Sequence, residues 1–61
     1  MIFEYYDNYL KVTNYRQLKQ LEDVKITIDN LIIIGKDLMI LSIDKDEIVI
    51  KGLIKNLTLG E

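Results

Sequence analysis

The densest carboxylate cluster in the chain, Asp44, Asp46 and Glu47, is the first place where metal chemistry could occur. Carboxylate oxygens are the ligands that Ca²⁺ prefers in proteins. A calcium loop of the EF-hand type needs a Gly at its sixth position and a Glu at its twelfth, whereas this chain passes directly into the apolar segment 48–50. We interpret the cluster as a solvated hairpin turn and predict no metal site.

Two further segments contain residue types that are common in active sites. Gly35-Lys36-Asp37 shares Gly and Lys with phosphate-binding loops, but the Walker pattern also needs a second Gly and a Ser or Thr after the Lys. Ser42 is the only serine, and the chain has no His to activate it and no Cys that could serve instead. We therefore predict no catalytic residues and no cofactor. Gly35 and Gly52 are interpreted as structural turn residues, with Gly35 at positive φ.

The aromatic residues are concentrated at one end of the chain. All five lie within the first fifteen positions: Phe3, Tyr5, Tyr6, Tyr9 and Tyr15. Aromatic side chains on a β surface can stack on nucleic-acid bases, but such sites also need a positive groove. This stretch has only Lys11 against Glu4 and Asp7, and the net charge of the chain is −2. We predict that the rings fill the edge of the core or a subunit interface, and nucleic acid is the disfavoured partner.

The residues around these positions predict an all-β protein. The chain has 61 residues, of which 14 are Ile or Val, and it contains no Ala. Branched aliphatic side chains of this kind favour strands. We predict one small domain over residues 1–61, an antiparallel β-meander forming a rolled sheet or sandwich of about five to seven short strands. A weak repeat between 28–35 and 43–52 leaves a short β-solenoid-like stack as the alternative.

The pattern of apolar residues differs along the chain. Segments 9–13 and 24–29 alternate apolar and polar residues, which predicts strands with one buried face. Segments 31–34, 38–41 and 48–50 are apolar at successive positions, so both of their faces need cover. Residues 15–22 are ambiguous: Leu18 and Leu21 have helical spacing, but we interpret the segment as a strand.

The small size of the chain predicts association with other chains. A domain of about 60 residues buries only about 60% of its unfolded surface, and this one has no disulfide to stabilise it. We therefore expect a homo-oligomer, or binding to another protein. The candidate interface residues are the aromatic and aliphatic side chains on the predicted strands: Phe3, Tyr5, Tyr9, Ile32, Ile34, Met39, Leu41 and Val49.

The sequence also predicts where the protein resides. Its longest apolar runs have four residues, far below the ~20 that a membrane-spanning helix needs. Met1 is followed directly by the strand-like segment 2–6 instead of a secretion signal. We expect no transmembrane segment and a cytoplasmic location.

Two β elements give the chain a family resemblance. Ile33-Ile34-Gly35-Lys36-Asp37-Leu38-Met39-Ile40 and Glu47-Ile48-Val49-Ile50-Lys51-Gly52-Leu53-Ile54 follow Asn14-Tyr15-Arg16 and an alternating strand. In this order, from about Tyr9 to Leu57, the chain resembles the YabP/YqfC-like family of sporulation proteins. The resemblance implies a small β protein of endospore-forming bacteria that acts in assembly of the spore or its envelope, without known catalytic residues. It also implies a location in the sporulating cell, in reach of the developing spore envelope, and another sporulation protein as a further partner.

Two hypotheses about function follow. The first is a non-enzymatic structural or adaptor protein of sporulation that acts through homo-oligomeric or partner-protein β surfaces. The alternative is a small β-barrel protein of the Sm or OB kind that binds single-stranded nucleic acid, which the length allows and the charge disfavours.

Overall fold

The fold, seen in a computed structural model that describes residues 1–60, is built from antiparallel strands, with no helix among these residues. There are six strands: β1 Ile2–Tyr6, β2 Tyr9–Thr13, β3 Leu18–Leu21, β4 Lys25–Ile28, β5 Leu31–Ile43 and β6 Glu47–Leu59. They form one open sheet in the order β1-β2-β6-β5-β4-β3. The all-β prediction and the predicted number of strands are confirmed.

Two of the strands are much longer than predicted. β5 and β6 have thirteen residues each and pair along their whole length, whereas the other four strands have four or five. Every strand pair is antiparallel, unlike the parallel strands of a β-helical stack. The short strands that the sequence predicts are β1 to β4, and the central pair is longer than expected.

The long β5–β6 pair bends in its middle and divides the sheet into two parts. The register shifts between Ile34 and Gly35 and again between Lys36 and Met39, and such bulges bend strands. On one side of the bend, β1 and β2 join residues 47–51 of β6 and 39–43 of β5; we call this the β2 half. On the other side, β3 and β4 join residues 31–34 of β5 and 53–59 of β6; we call this the β4 half.

Two glycines allow the strands to approach closely at the bend. A Cβ on Gly35 would overlap the carbonyl oxygen of Leu53, and a Cβ on Gly52 would lie 2.8 Å from the carbonyl oxygen of Asp37. Gly52 also has φ 145°, which side chains disfavour. The prediction of turns at Gly35 and Gly52 is wrong, because both lie inside strands. The residue with positive φ near Gly35 is Asp37, at 54°.

The core lies on the inner face, which the two halves share. Nine buried apolar residues form it: Leu10, Val12, Ile26, Ile28, Leu31, Ile33, Leu38, Ile48 and Ile50. Except for Leu38, which lies at the bend, these residues alternate along β2, β4, β5 and β6 with less buried positions. The alternation predicted for 9–13 is confirmed, and that for 24–29 is confirmed within β4 but is wrong at Val24, which precedes the strand and is 48% exposed. The apolar runs at 31–34 and 48–50 also bury every second residue.

The ambiguous segment 15–22 contains the strand β3, and a bulge explains its helix-like spacing. The register shifts between Leu18 and Gln20, so Lys19 is an extra residue. Leu18 therefore pairs with Ile28 and Leu21 with Ile26, both of which face the core. Because the bulge adds one position, two leucines three residues apart lie on the same face of the strand.

The connection between β2 and β3 joins the far ends of the two halves. Asn14 N–H donates to the carbonyl of Asp46 over 2.8 Å, which holds the connection to the β2 half. The N–H groups of Arg16 and Gln17 donate to the carboxylate of Asp29, at the end of β4, over 3.0 and 2.7 Å. Partial desolvation raises the pKa of Asp29, but these hydrogen bonds and the charges of Lys19 and Arg16 lower the pKa below its ordinary value of 3.8.

The steric constraint at the bend can be tested by Gly35→Ala. The added Cβ meets backbone atoms, which cannot move aside as a side chain can, so we expect the free energy of unfolding to fall by about 2 kcal/mol or more. The matched control is Gly60→Ala, whose Cβ would have its nearest neighbour at 3.5 Å and should change stability little. Urea unfolding followed by circular dichroism measures both, and equal midpoints would contradict the constraint.

The hydrogen bonds from the Arg16 and Gln17 N–H groups to the Asp29 carboxylate predict that the stability of the protein depends on pH. Because the pKa of Asp29 is lowered in the folded state, its contribution is present above pH 3.8 and is lost as the pH falls through the folded-state pKa. Asp29→Asn should therefore be less stable than the wild type near neutral pH, and the difference should shrink in acid. Asn also tolerates the φ of 53° at this position.

Denaturant unfolding at several pH values measures this difference. Asp46→Asn is the matched control, because within residues 1–60 the Asp46 carboxylate accepts no hydrogen bond. A stability difference for Asp29→Asn that stays constant from neutral pH to pH 2 would show that the charge of Asp29 has no part in joining the halves.

Candidate interaction surface

The surface of the protein carries many large apolar side chains. Within residues 1–60, twelve large hydrophobic residues are 39 to 57% exposed: Met1, Ile2, Phe3, Tyr5, Tyr6, Leu21, Val24, Met39, Leu41, Ile43, Leu53 and Leu59. They lie on both faces of the sheet, at its edges and in the turn before β4. Exposed apolar clusters of this kind mark contact sites for other molecules.

A continuous row of side chains crosses the outer face of the β2 half. Tyr6 pairs with Tyr9, Tyr9 with Lys51, and Lys51 with Met39, so the row spans four strands. The Tyr6 and Tyr9 ring centroids are 6.4 Å apart, and Lys51 Nζ lies 5.9 Å from the Tyr9 centroid. We call these four residues the tyrosine row. It offers two aromatic rings and one ammonium group to a ligand.

The rows next to the tyrosine row are of mixed charge. Glu4 pairs with Lys11, and Lys11 with Val49. The ammonium group of Lys11 lies 3.4 Å from the carboxylate of Glu47, and both side chains are more than one-third exposed. Exposed ion pairs contribute little to stability. Their effect here is to offset the positive charge near the tyrosine row.

The outer face of the β4 half is less charged. Ile32 and Ile34 are half-buried there, and their cross-strand neighbours are polar: Ile32 pairs with Thr27 and Thr58, and Ile34 with Lys25 and Asn56. The second face of the apolar run 31–34 is thus only partly covered. The two isoleucines, of which Ile32 lies between threonines and Ile34 between Lys25 and Asn56, form a small apolar patch on this face.

The inner face continues beyond the core at the β1 edge. Phe3 pairs with Val12 and Tyr5 with Leu10, and both of these partners are buried. Phe3 and Tyr5 therefore face inward, yet they remain 39 and 48% exposed because β1 is the outermost strand. The hydroxyl of Tyr5 reaches Asn8 Oδ1 over 3.4 Å. The two rings continue the apolar inner face onto the outermost strand, where no other part of the chain packs against them fully.

The structure divides the predicted interface residues among several surfaces. Tyr9, Met39 and Val49 lie on the outer face of the β2 half. Ile32 and Ile34 lie on the outer face of the β4 half, while Phe3 and Tyr5 face inward on β1. Leu41 is the extra residue where the register shifts between Ile40 and Ser42, and it is exposed. The eight residues therefore form no single interface.

Two residues of the tyrosine row were not among the predicted interface positions. Tyr6 joins the row because Tyr6 and Tyr9 flank the two-residue turn Asp7-Asn8, and Lys51 joins it because β6 pairs with β2. Two such turn residues with positive φ define a tight hairpin, and the hairpin places the flanking residues opposite each other. The Asp-Asn pair was the signal that could have placed Tyr6 beside Tyr9, whereas Lys51 depends on a strand distant in sequence.

The carboxylate cluster lies at the turn between β5 and β6, whereas Gly35-Lys36-Asp37 and Ser42 lie within β5. Asp44 N–H donates to the carbonyl of Glu47 over 2.7 Å, and the Asp44 carboxylate accepts from Lys45 N–H over 2.8 Å. These contacts close the β5–β6 hairpin. Residues 1–60 contain no cluster of three metal-ligating side chains, no detected pocket and no helix capable of crossing a membrane.

Comparison with known proteins found no matching family model, no curated relative and no similar solved structure. The likeness to the sporulation family therefore stays a prediction from the residues.

The two faces of β5 predict opposite outcomes for neighbouring substitutions. Ile33 is fully buried, so Ile33→Asp places an unpaired charge in the core, a cost of several kcal/mol that a small domain cannot withstand. Ile34 lies on the outer face opposite Lys25, so Ile34→Asp should fold and gain a cross-strand ion pair. Circular dichroism and thermal unfolding distinguish the two, and unfolding of both variants would contradict this assignment of faces.

Proposed function

We propose that this protein is a non-enzymatic structural or adaptor protein that acts by presenting β surfaces to other protein chains, including further copies of itself. The observation that supports the proposal is the division of its apolar side chains. Within residues 1–60, nine form the core while twelve large ones remain exposed on the sheet faces and edges. Side chains left out of a core as small as this one are suited to covering a partner.

The proposed setting is sporulation. The elements around Gly35 and Gly52 that resemble the YabP/YqfC-like family form the bent β5–β6 pair, so the resemblance rests on the part that organises the whole sheet. On this proposal the protein works in the cytoplasm of the sporulating cell, in assembly of the spore or its envelope. Another sporulation protein is the further partner expected there.

The tyrosine row supports a second candidate function. Two neighbouring rings with Lys51 beside them are the kind of surface on which single-stranded nucleic acid stacks. The charges around the row disfavour this use, because Glu4 and Glu47 lie on the same face, and the net charge of the chain is −2. Binding of nucleic acid is therefore the alternative and not the main proposal.

The two functions respond oppositely to salt. Association through apolar side chains should give a solution mass at least twice the 7.2 kDa of one chain, and this mass should persist or grow in sulfate. Binding of nucleic acid should weaken steeply as salt rises from about 50 to about 200 mM. Light scattering over a wide concentration range measures the first, and fluorescence anisotropy of a labelled single-stranded oligonucleotide measures the second.

Lys51→Glu is the control variant for the alternative. It reverses the charge beside the Tyr9 ring without changing the core, so it should abolish oligonucleotide binding and leave assembly intact. Oligonucleotide binding that persists at physiological salt and is lost in Lys51→Glu would overturn the structural proposal.

Deletion of the gene tests the proposed setting. In the bacterium that encodes the chain, deletion should lower the number of heat-resistant spores without affecting vegetative growth, and an unchanged spore count would overturn the proposed setting.

A further inference from the structure

The outer edge of β1 is open to another strand. β1 pairs only with β2, and every one of its residues is exposed. Asp7 and Asn8, with φ 48° and 63°, form a two-residue turn, in which the flanking pair Tyr6 and Tyr9 is hydrogen-bonded. Hydrogen-bonded and non-hydrogen-bonded pairs alternate along an antiparallel ladder, so the N–H and C=O groups of Phe3 and Tyr5 point away from β2. The edge therefore offers two donors and two acceptors.

The two edges of the sheet differ in how they are protected. At the opposite edge, β3 has only four residues, a bulge and the charged Lys19, which are features that prevent a strand from joining. β1 has five residues in unbroken register with β2, and Glu4 is its one charged residue. Of these two outermost strands, β1 is the more regular and the more apolar, and it is the one suited to accept another strand.

We propose that β1 pairs antiparallel with β1 of a second copy, related by a two-fold axis, so that two six-stranded sheets join into one of twelve strands. The inference rests on the proposed function and specifies the partner and the contact. A two-fold contact uses the same edge on both copies, so it closes at a dimer and leaves no β1 edge open.

Only some registers of the β1–β1 pair place the inner faces of both copies on the same side of the joined sheet. The charge and the length of β1 select one of them. Directly opposite residues share a face, so the axis must pass through Phe3, Glu4 or Tyr5. An axis at Glu4 places two carboxylates opposite each other, which is destabilising. An axis at Tyr5 brings Asp7 opposite Phe3, and Asp7 already belongs to the turn. An axis at Phe3 avoids both problems, because Glu4 then lies opposite Ile2 of the partner subunit.

The same register covers the exposed part of the inner face. Phe3 and Tyr5 lie beside the buried Val12 and Leu10 but remain partly exposed at the sheet edge. With the axis at Phe3, the two Phe3 rings face each other, and each Tyr5 lies opposite Met1 of the partner subunit. Aromatic pairs across strands are among the stabilising contacts of sheets. A second copy thus supplies both the hydrogen bonds and the apolar cover that the edge needs.

Cysteine cross-linking tests the register, since the chain has no Cys of its own. In the proposed dimer the two residues at position 3 are about 5.5 Å apart at Cα, which is within reach of a disulfide. The residues at position 4 are displaced by about 7 Å along the strand, and those at position 5 by about 14 Å. Phe3→Cys should therefore form a disulfide-linked dimer under mild oxidation at least tenfold faster than Glu4→Cys, Tyr5→Cys or the β3 control Lys19→Cys.

A proline substitution tests the backbone contact. Phe3→Pro removes an outward N–H while sparing the β1–β2 ladder, and Phe3→Val removes the ring but keeps the donor. We expect the dissociation constant of the Phe3→Pro dimer to be at least tenfold higher than that of the Phe3→Val dimer. Sedimentation equilibrium measures both, and circular dichroism checks that each variant is folded as the wild type is.

The outcomes separate this inference from the proposed function. Self-association that is equal in Phe3→Pro and Phe3→Val, with cross-linking no faster at position 3 than at position 19, would overturn the β1 contact and leave assembly through another surface standing. Fastest cross-linking at position 4 or 5 would overturn the proposed register. A wild-type chain that stays monomeric at every concentration would overturn the dimer, whereas salt-sensitive oligonucleotide binding would overturn the function itself.

Discussion

The close approach of β5 and β6 at their bend is the constraint on which the rest of the structure depends. Gly35 lies so near the carbonyl of Leu53 that no side chain fits, and Gly52 has a backbone conformation that other residues disfavour. The bend lets one sheet cover its own inner face. A flat sheet of six strands would leave that face in water, and residues 1–60 contain no helix or second sheet that could cover it.

Neighbouring turns hold the bend in place. The carbonyls of Val24 and Asp23 accept hydrogen bonds from Gly35 and Leu38 N–H over 3.0 and 2.8 Å, and Gly52 N–H donates to the carbonyl of Asn8 over 3.1 Å. At the far ends of the halves, the Asp29 carboxylate binds the N–H groups of Arg16 and Gln17. The two halves are therefore joined both where they bend and where they end.

The small size of the core explains why so many apolar side chains are exposed. Only one inner face is available, and its centre takes the nine buried residues, so side chains farther out along that face, such as Phe3, Tyr5 and Leu59, stay partly exposed. The outer faces differ in character, since the β2 half carries the tyrosine row within mixed charges and the β4 half carries Ile32 and Ile34. A protein built in this way offers surfaces and an edge for contact, which is the basis of the proposed structural role.

The sequence by itself determined the features that depend on near neighbours along the chain. The strand class follows from branched side chains, and the buried faces of β2 and β4 follow from alternation, because successive strand residues point to opposite faces. The hairpin turn at Asp44-Lys45-Asp46 was also predictable, because Asp side chains favour turns through local hydrogen bonds. Only the tertiary structure decided that Gly35 lies in a bend and not in a turn. Glycine is common in both, and what identifies the bend is the close approach of β6 at Leu53. The tertiary structure also decided that the bulge at Lys19 places Leu18 and Leu21 on one face, and which strand lies at each edge, because pairing partners are distant in sequence and no local pattern records them.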